Sequence, residues 1–130
     1  MSATHFLVKF FQAEDMPGTW VAHCLDLDVV TWADNKPESI YMAREAIMST
    51  IAADVAAGID CRKRRAPDED WEEFEQALQR STGSRSLQSI ADDPDFVGVF
   101  YAYITIQIPD GFDIVDQATT SPTLGVAVAA

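Results

Sequence analysis

The stretch His23-Cys24-Leu25-Asp26-Leu27-Asp28 holds four residues that could do chemistry, as metal ligands or as catalytic acids. Adjacent side chains on a strand point to opposite faces, so His23 and Cys24 cannot both bind one ion from a regular strand. Asp26 and Asp28 would act as a pair only if the chain between them were extended. A tight bend joining two strands explains the same carboxylates as acceptors for turn N–H groups. We therefore interpret this stretch as a bend.

The other candidate ligands and nucleophiles are too scattered to indicate a site. Cys61 and His5 lack ligand-type spacing, and the sequence contains no CxxC or HxxxH motif. Cys24 alternates with Trp20 and Ala22, which is typical of a packed strand face. The residues therefore predict no metal, no cofactor and no enzymatic activity.

Composition restricts the class of protein. The 130 residues suffice for one domain, and the formal net charge is −12. Such an acidic chain repels phosphate backbones, which argues against direct nucleic-acid binding and favours basic protein partners. The basic run at residues 62–65 follows a predicted helix end, where it would complement the helix dipole. Two cysteines, no signal-like segment and no long apolar run favour a cytoplasmic protein without a membrane span.

The first third of the chain predicts three strands in an antiparallel meander. Pro17 and Gly18 suit the central positions of a type II turn between the first two strands, and the bend described above joins the second to the third. The predicted strands are residues 5–11, 19–25 and 28–32.

A long amphipathic helix is expected over residues 36–57. Asn35 has the character of an N-cap, Glu38 follows at capping-box spacing, and Gly58 supplies a C-terminal stop. Asp54 lies beside the apolar stripe and is expected to face solvent. The stripe consists of Ile40, Ala43, Ile47, Ile51 and Val55.

The remaining elements are a small helix and a late strand. A second helix over residues 69–80 is expected to pack through Trp71, Phe74 and Leu78, with Asp68 as its cap. The late strand, residues 96–108, would be apolar on one face and aromatic on the other, and is expected to mediate homo-oligomer formation. Its core-facing residues would be Phe100, Ala102, Ile104, Ile106 and Ile108. The expected fold is a single α+β domain over residues 1–115, with an insertion at about 60–95 and a tail at 116–130.

Residues 5–58 resemble the HicB-like antitoxin family of toxin–antitoxin systems. The resemblance rests on a first strand, a Trp-Val-Ala strand, a leucine-containing bend, a further strand and a capped helix. Departures include Ala33 where the family has glycine, Asn35 where it has threonine, Pro37 in place of an acidic residue, and Ser39 in place of alanine. The residues that keep the pattern are Trp20, Val21, Ala22, Cys24, Leu27, Val29, Asp34, Glu38, Ile40, Glu45 and Ala46.

The resemblance implies a partial ribonuclease H-like fold that binds and neutralises a small basic ribonuclease toxin of the HicA type. The alternative is an orphan protein of the same fold that acts as an oligomeric interaction scaffold without catalytic activity. Residues 116–130 contain no basic residue, so no DNA-binding domain is expected there. The expected partner-binding residues are acidic side chains and two aromatic anchors: Glu14, Asp15, Asp26, Asp28, Trp32 and Tyr41.

Overall fold

The computed structural model describes residues 2–81, 84–108 and 124–127, which form an antiparallel sheet with helices packed on it. The strand order is β3-β2-β1-β5-β6-β4, and every pair of neighbours is antiparallel. The α+β class is therefore confirmed. The strands are β1 (Ser2–Gln12), β2 (Trp20–Cys24), β3 (Val29–Ala33), β4 (Ser84–Ser86), β5 (Phe100–Ile108) and β6 (Leu124–Ala127). The helices are α1 (Lys36–Ala57), α2 (Asp68–Arg80) and α3 (Leu87–Ala91), with a 3-10 turn at Cys61–Arg64.

The predicted meander is present as β1, β2 and β3. A tight turn joins β1 to β2, with Gly18 at a φ of 90° and a Thr19 N–H that donates to the Met16 carbonyl at 3.0 Å. A positive φ at the third turn position is what a type II turn requires, and glycine adopts it without strain. The bend at residues 25–28 joins β2 to β3, as predicted.

Helix α1 begins and ends where local signals place it. The Asn35 side chain accepts a hydrogen bond from the Glu38 N–H at 2.8 Å, and Gly58 ends the helix in the left-handed region at a φ of 70°. The central stripe residues Ala43, Ile47 and Ile51 are buried against one face of the sheet. Burial of the two isoleucine side chains stabilises the fold by roughly 1.5–3 kcal/mol each.

The expectation that Asp54 faces solvent is wrong. Asp54 is only 2% exposed, and both carboxylate oxygens accept hydrogen bonds from Arg64, at 2.6 and 2.8 Å. The 3-10 turn returns the chain to the last turns of α1, which brings the guanidinium to the carboxylate. This hydrogen-bonded ion pair holds the pKa of the Asp54 carboxyl below its usual value.

Helix α2 covers the opposite face of the sheet, where Phe74 is buried and Trp71 packs beside it, as predicted. Leu78 does not belong to the buried stripe: it is 44% exposed, and Ala77 packs inward instead. Asp68 is the first helical residue rather than the cap, because the N-cap position is Pro67.

Strand β5 is an interior strand rather than an exposed one. It pairs with β1 from Ser2↔Ile108 to Phe10↔Phe100, and with β6 at two residue pairs. Four of the five predicted inward residues are buried: Phe100, Ala102, Ile104 and Ile106, whereas the Ile108 side chain lies outside the described part.

The opposite side of β5 is partly covered. Tyr101 is buried against Phe74, with ring centroids 5.0 Å apart, and Thr105 is buried as well. The expectation of an uncovered aromatic face is therefore wrong at Tyr101, because α2 packs there, whereas Tyr103 on the same face is 38% exposed. Residues 124–127, assigned to a tail from the sequence, form β6 of the same sheet. The rest of the predicted tail, 116–123 and 128–130, lies outside the described residues.

Candidate interaction surface

The carboxylate of Asp26 forms a hydrogen bond with the main chain of β1. It accepts a hydrogen bond from the Leu7 N–H at 2.6 Å, and the Leu7 carbonyl accepts one from the Leu25 N–H at 2.8 Å. The Leu25 carbonyl in turn accepts from the Ala66 N–H at 2.8 Å. Asp26 thus continues the β1–β2 ladder past the end of β2. Burial raises the pKa of this carboxyl, and the Leu7 N–H opposes that rise.

Asp28 differs from Asp26 because it is exposed. It has a φ of 51°, a left-handed conformation that aspartate tolerates better than most residues, and its Oδ1 lies 2.8 Å from His23 Nε2. Cys24, the residue after His23, packs on the α1 side of the sheet, whereas His23 points to the other side. Burial raises the pKa of the Cys24 thiol to about 12, so the thiol is protonated at neutral pH and is a poor nucleophile.

The four predicted acidic contacts are not brought together. Glu14 and Asp15 are exposed in the β1–β2 turn, whereas Asp26 and Asp28 lie in the bend at the other end of β2. Five residues of β2 separate these ends, a span of roughly 14 Å at the usual rise of a strand. The carboxylates therefore lie at two ends of a strand rather than in one cluster.

The two predicted aromatic anchors lie on opposite sides of the sheet. Trp32 is 66% exposed on β3, on the face turned away from α1, while Tyr41 is 57% exposed on α1 itself. Trp32 stands opposite Val21 in the β2–β3 register, and Val21 stands opposite Phe11 on β1. Trp32 therefore belongs to an apolar row across three strands, and Tyr41 does not.

Two further residues belong with Trp32 and were not predicted. Val30, two residues earlier on the same face, is 51% exposed, and Asp34 is exposed directly after β3. The alternation of Val-Val-Thr-Trp-Ala could have indicated Val30, because residues two apart on a strand share a face. We call Val30 and Trp32, the outer edge of β3 and the flanking Asp28 and Asp34 the β3 edge surface.

A cleft of about 370 Å³ lies at the N-terminal end of α1. Lys36 is buried there, and its ammonium donates to the Phe96 carbonyl at 2.7 Å and to the Asp93 carbonyl. It also lies 5.6 Å from the ring centre of Trp20 and 5.5 Å from that of Phe96. Burial lowers the pKa of this amine, and Asp93 opposes that change. The amine thus fastens the loop before β5 to the start of α1.

Among the described residues, no group of three or more His, Cys, Asp or Glu is placed to hold a metal ion. No helix in the described ranges is long and apolar enough to cross a membrane. Comparisons with protein-family models, with curated proteins and with solved structures find no match to this chain.

Proposed function

We propose that this chain is a HicB-like antitoxin-type protein that binds and neutralises a small basic ribonuclease. The observation that supports this most is the unit formed by β1, β2, β3 and α1, the segment on which the resemblance rests. In this unit an exposed tryptophan, Trp32, stands on an edge strand between two exposed aspartates. A large amphipathic ring surrounded by carboxylates suits a basic protein surface.

The exposure of each residue indicates whether it would contribute mainly to the affinity or mainly to the association rate. Trp32 would supply most of the affinity, because buried aromatic anchors dominate protein interfaces. Asp28 and Asp34 would remain near the rim and set the association rate and its salt dependence. Tyr41 lies on the other side of the sheet, so we place it outside the centre of this contact. Asp26 would act by holding the bend rather than by touching the partner.

The proposal predicts that a short basic protein is encoded beside this chain, and the test uses that protein. That protein should arrest growth when it is induced alone, and coexpression of this chain should restore growth. The two proteins should copurify, and association should slow as salt rises. If the adjacent reading frames encode no small basic protein, or if that protein degrades RNA equally well with this chain bound, the proposal is wrong.

Two matched variants locate the contact. Trp32→Ala should weaken binding at least about tenfold, whereas Tyr41→Ala, also an exposed aromatic, should change it little. Asp28→Asn with Asp34→Asn should slow association at low salt and leave the melting temperature unchanged. Equal effects of the two aromatic variants would place the contact elsewhere.

A further inference from the structure

Among the strands that the structure describes, none lies on the outer side of β3. In the described part of the chain it pairs only with β2, at positions Trp20↔Ala33 to Cys24↔Val29. The Leu25 N–H bonds toward β1, so the alternation of an antiparallel ladder directs the backbone groups of Val30 and Trp32 outward. The strand Val-Val-Thr-Trp-Ala contains no charge and no proline, which are the usual protections of an edge.

The side chains beside this edge are apolar and uncovered. Val30 and Trp32 point to the face of the sheet that α2 covers elsewhere, over Leu7 and Tyr101. Val30 and Trp32 therefore lie between the part of this face that α2 covers and the outer edge of β3. A strand added at β3 would form main-chain hydrogen bonds with it and side-chain contacts with Val30 and Trp32.

The charges at the ends of β3 decide what kind of strand fits. Two copies of this chain paired antiparallel about Thr31 would place Asp28 of one directly opposite Asp34 of the other. Like charges directly opposite each other destabilise a strand pair, and the net charge of −12 on each copy adds to the repulsion. A segment with a basic residue at each end meets both aspartates favourably.

We propose that the β3 edge is a β-augmentation site for an extended basic segment of a partner protein. The segment would carry Lys or Arg opposite Asp28 and Asp34, and apolar residues opposite Val30 and Trp32. This inference rests on the proposed function, since it names the part of a basic partner that would dock and the mode of docking.

The probe is the capped peptide Lys-Thr-Val-Thr-Val-Thr-Lys, with Glu-Thr-Val-Thr-Val-Thr-Glu as its matched control. On titration into the labelled protein, the Lys peptide should shift the amide resonances of residues 28–34 and slow hydrogen exchange at the Val30 and Trp32 amides. Because the charge contacts at both ends of the peptide change from attractive to repulsive, the Glu peptide should bind about tenfold more weakly or worse.

A second peptide tests the main-chain hydrogen bonds without altering the protein. Methylating the backbone nitrogens of both valines removes the N–H groups that would pair with β3, while the charges and side chains stay. This peptide should lose binding. If it binds as well as the parent, or if protection occurs away from β3, the augmentation proposal is overturned.

Two further outcomes separate this inference from the proposed function. If the basic neighbour protein binds but leaves exchange at Val30 and Trp32 unchanged, the edge proposal is wrong and the function stands. If the Lys peptide protects these amides but the neighbour protein does not bind, the edge site stands and the function falls. Sedimentation that shows a dimer with both amides already protected would assign the edge to a second copy and overturn the proposal.

Discussion

Replacing Asp26 with alanine should destabilise the protein by removing the acceptor of a main-chain N–H. Leu7 is only 1% exposed, and its N–H donates to the Asp26 carboxylate at 2.6 Å. A buried donor left without a partner costs about 1–3 kcal/mol. With a urea m-value of about 2 kcal/mol/M, the unfolding midpoint should fall by roughly 0.5–1.5 M.

Asp26→Asn should behave differently, because the amide oxygen still accepts the Leu7 N–H. The folded-state pKa of Asp26 is raised by burial, so its contribution to stability is present at pH below the unfolded pKa. That contribution is lost as the pH rises through the folded pKa. Relative to the native sequence, Asp26→Asn should therefore be more favourable at pH 7 than at pH 3.

The assay is urea unfolding followed by tryptophan fluorescence, since Trp20 is buried in the native core. Asp28→Asn is the matched control: it is in the same bend and exposed, and asparagine also tolerates a positive φ. Its effect should stay within about 0.5 kcal/mol. Equal unfolding midpoints for Asp26→Ala and Asp28→Asn would refute the reasoning. They would mean that the hydrogen bond from the Leu7 N–H to the Asp26 carboxylate does not stabilise the fold.

Three other variants or reactions test further contacts. Asn35→Ala should cost about 1 kcal/mol in urea unfolding, because the Glu38 N–H loses its cap, whereas Asn35→Ser should recover most of that loss; equal losses would exclude a capping role. Asp54→Asn should lower the unfolding midpoint at pH 7 by breaking the pair with Arg64. Since the folded pKa of Asp54 is depressed, its contribution is lost as pH falls through the acidic range, so the difference from the native sequence should shrink toward pH 3 and a constant difference would contradict the ion-pair account. Iodoacetamide at pH 8 should leave Cys24 unmodified in the native protein and alkylate it in urea, as peptide mapping would show; rapid native alkylation would mean that the thiol is not buried.

Local signals in the sequence determined the ends of α1 and the hairpin that precedes it. The Asn35 cap, the Gly58 stop and the Pro17–Gly18 turn each act within a few residues, so no knowledge of distant segments is needed to interpret them. The bend at Leu25–Asp28 follows from the same kind of evidence. Exposure of Trp32 follows from strand alternation, and this part of the candidate surface was therefore predictable.

The tertiary structure alone decided which strands are edges and which polar groups are buried. Tyr101 was expected on an open face, but α2 covers it, and β5 lies inside the sheet because it pairs with β1 on one side and β6 on the other. Asp54 and Lys36 are buried because Arg64 and the carbonyls of the loop before β5 reach them from 10 and up to 60 residues away. Strand order and such pairings depend on which distant segments close onto each other. Patterns within one helix or strand carry no information about that choice, and so the open edge at β3 could be found only in the folded chain.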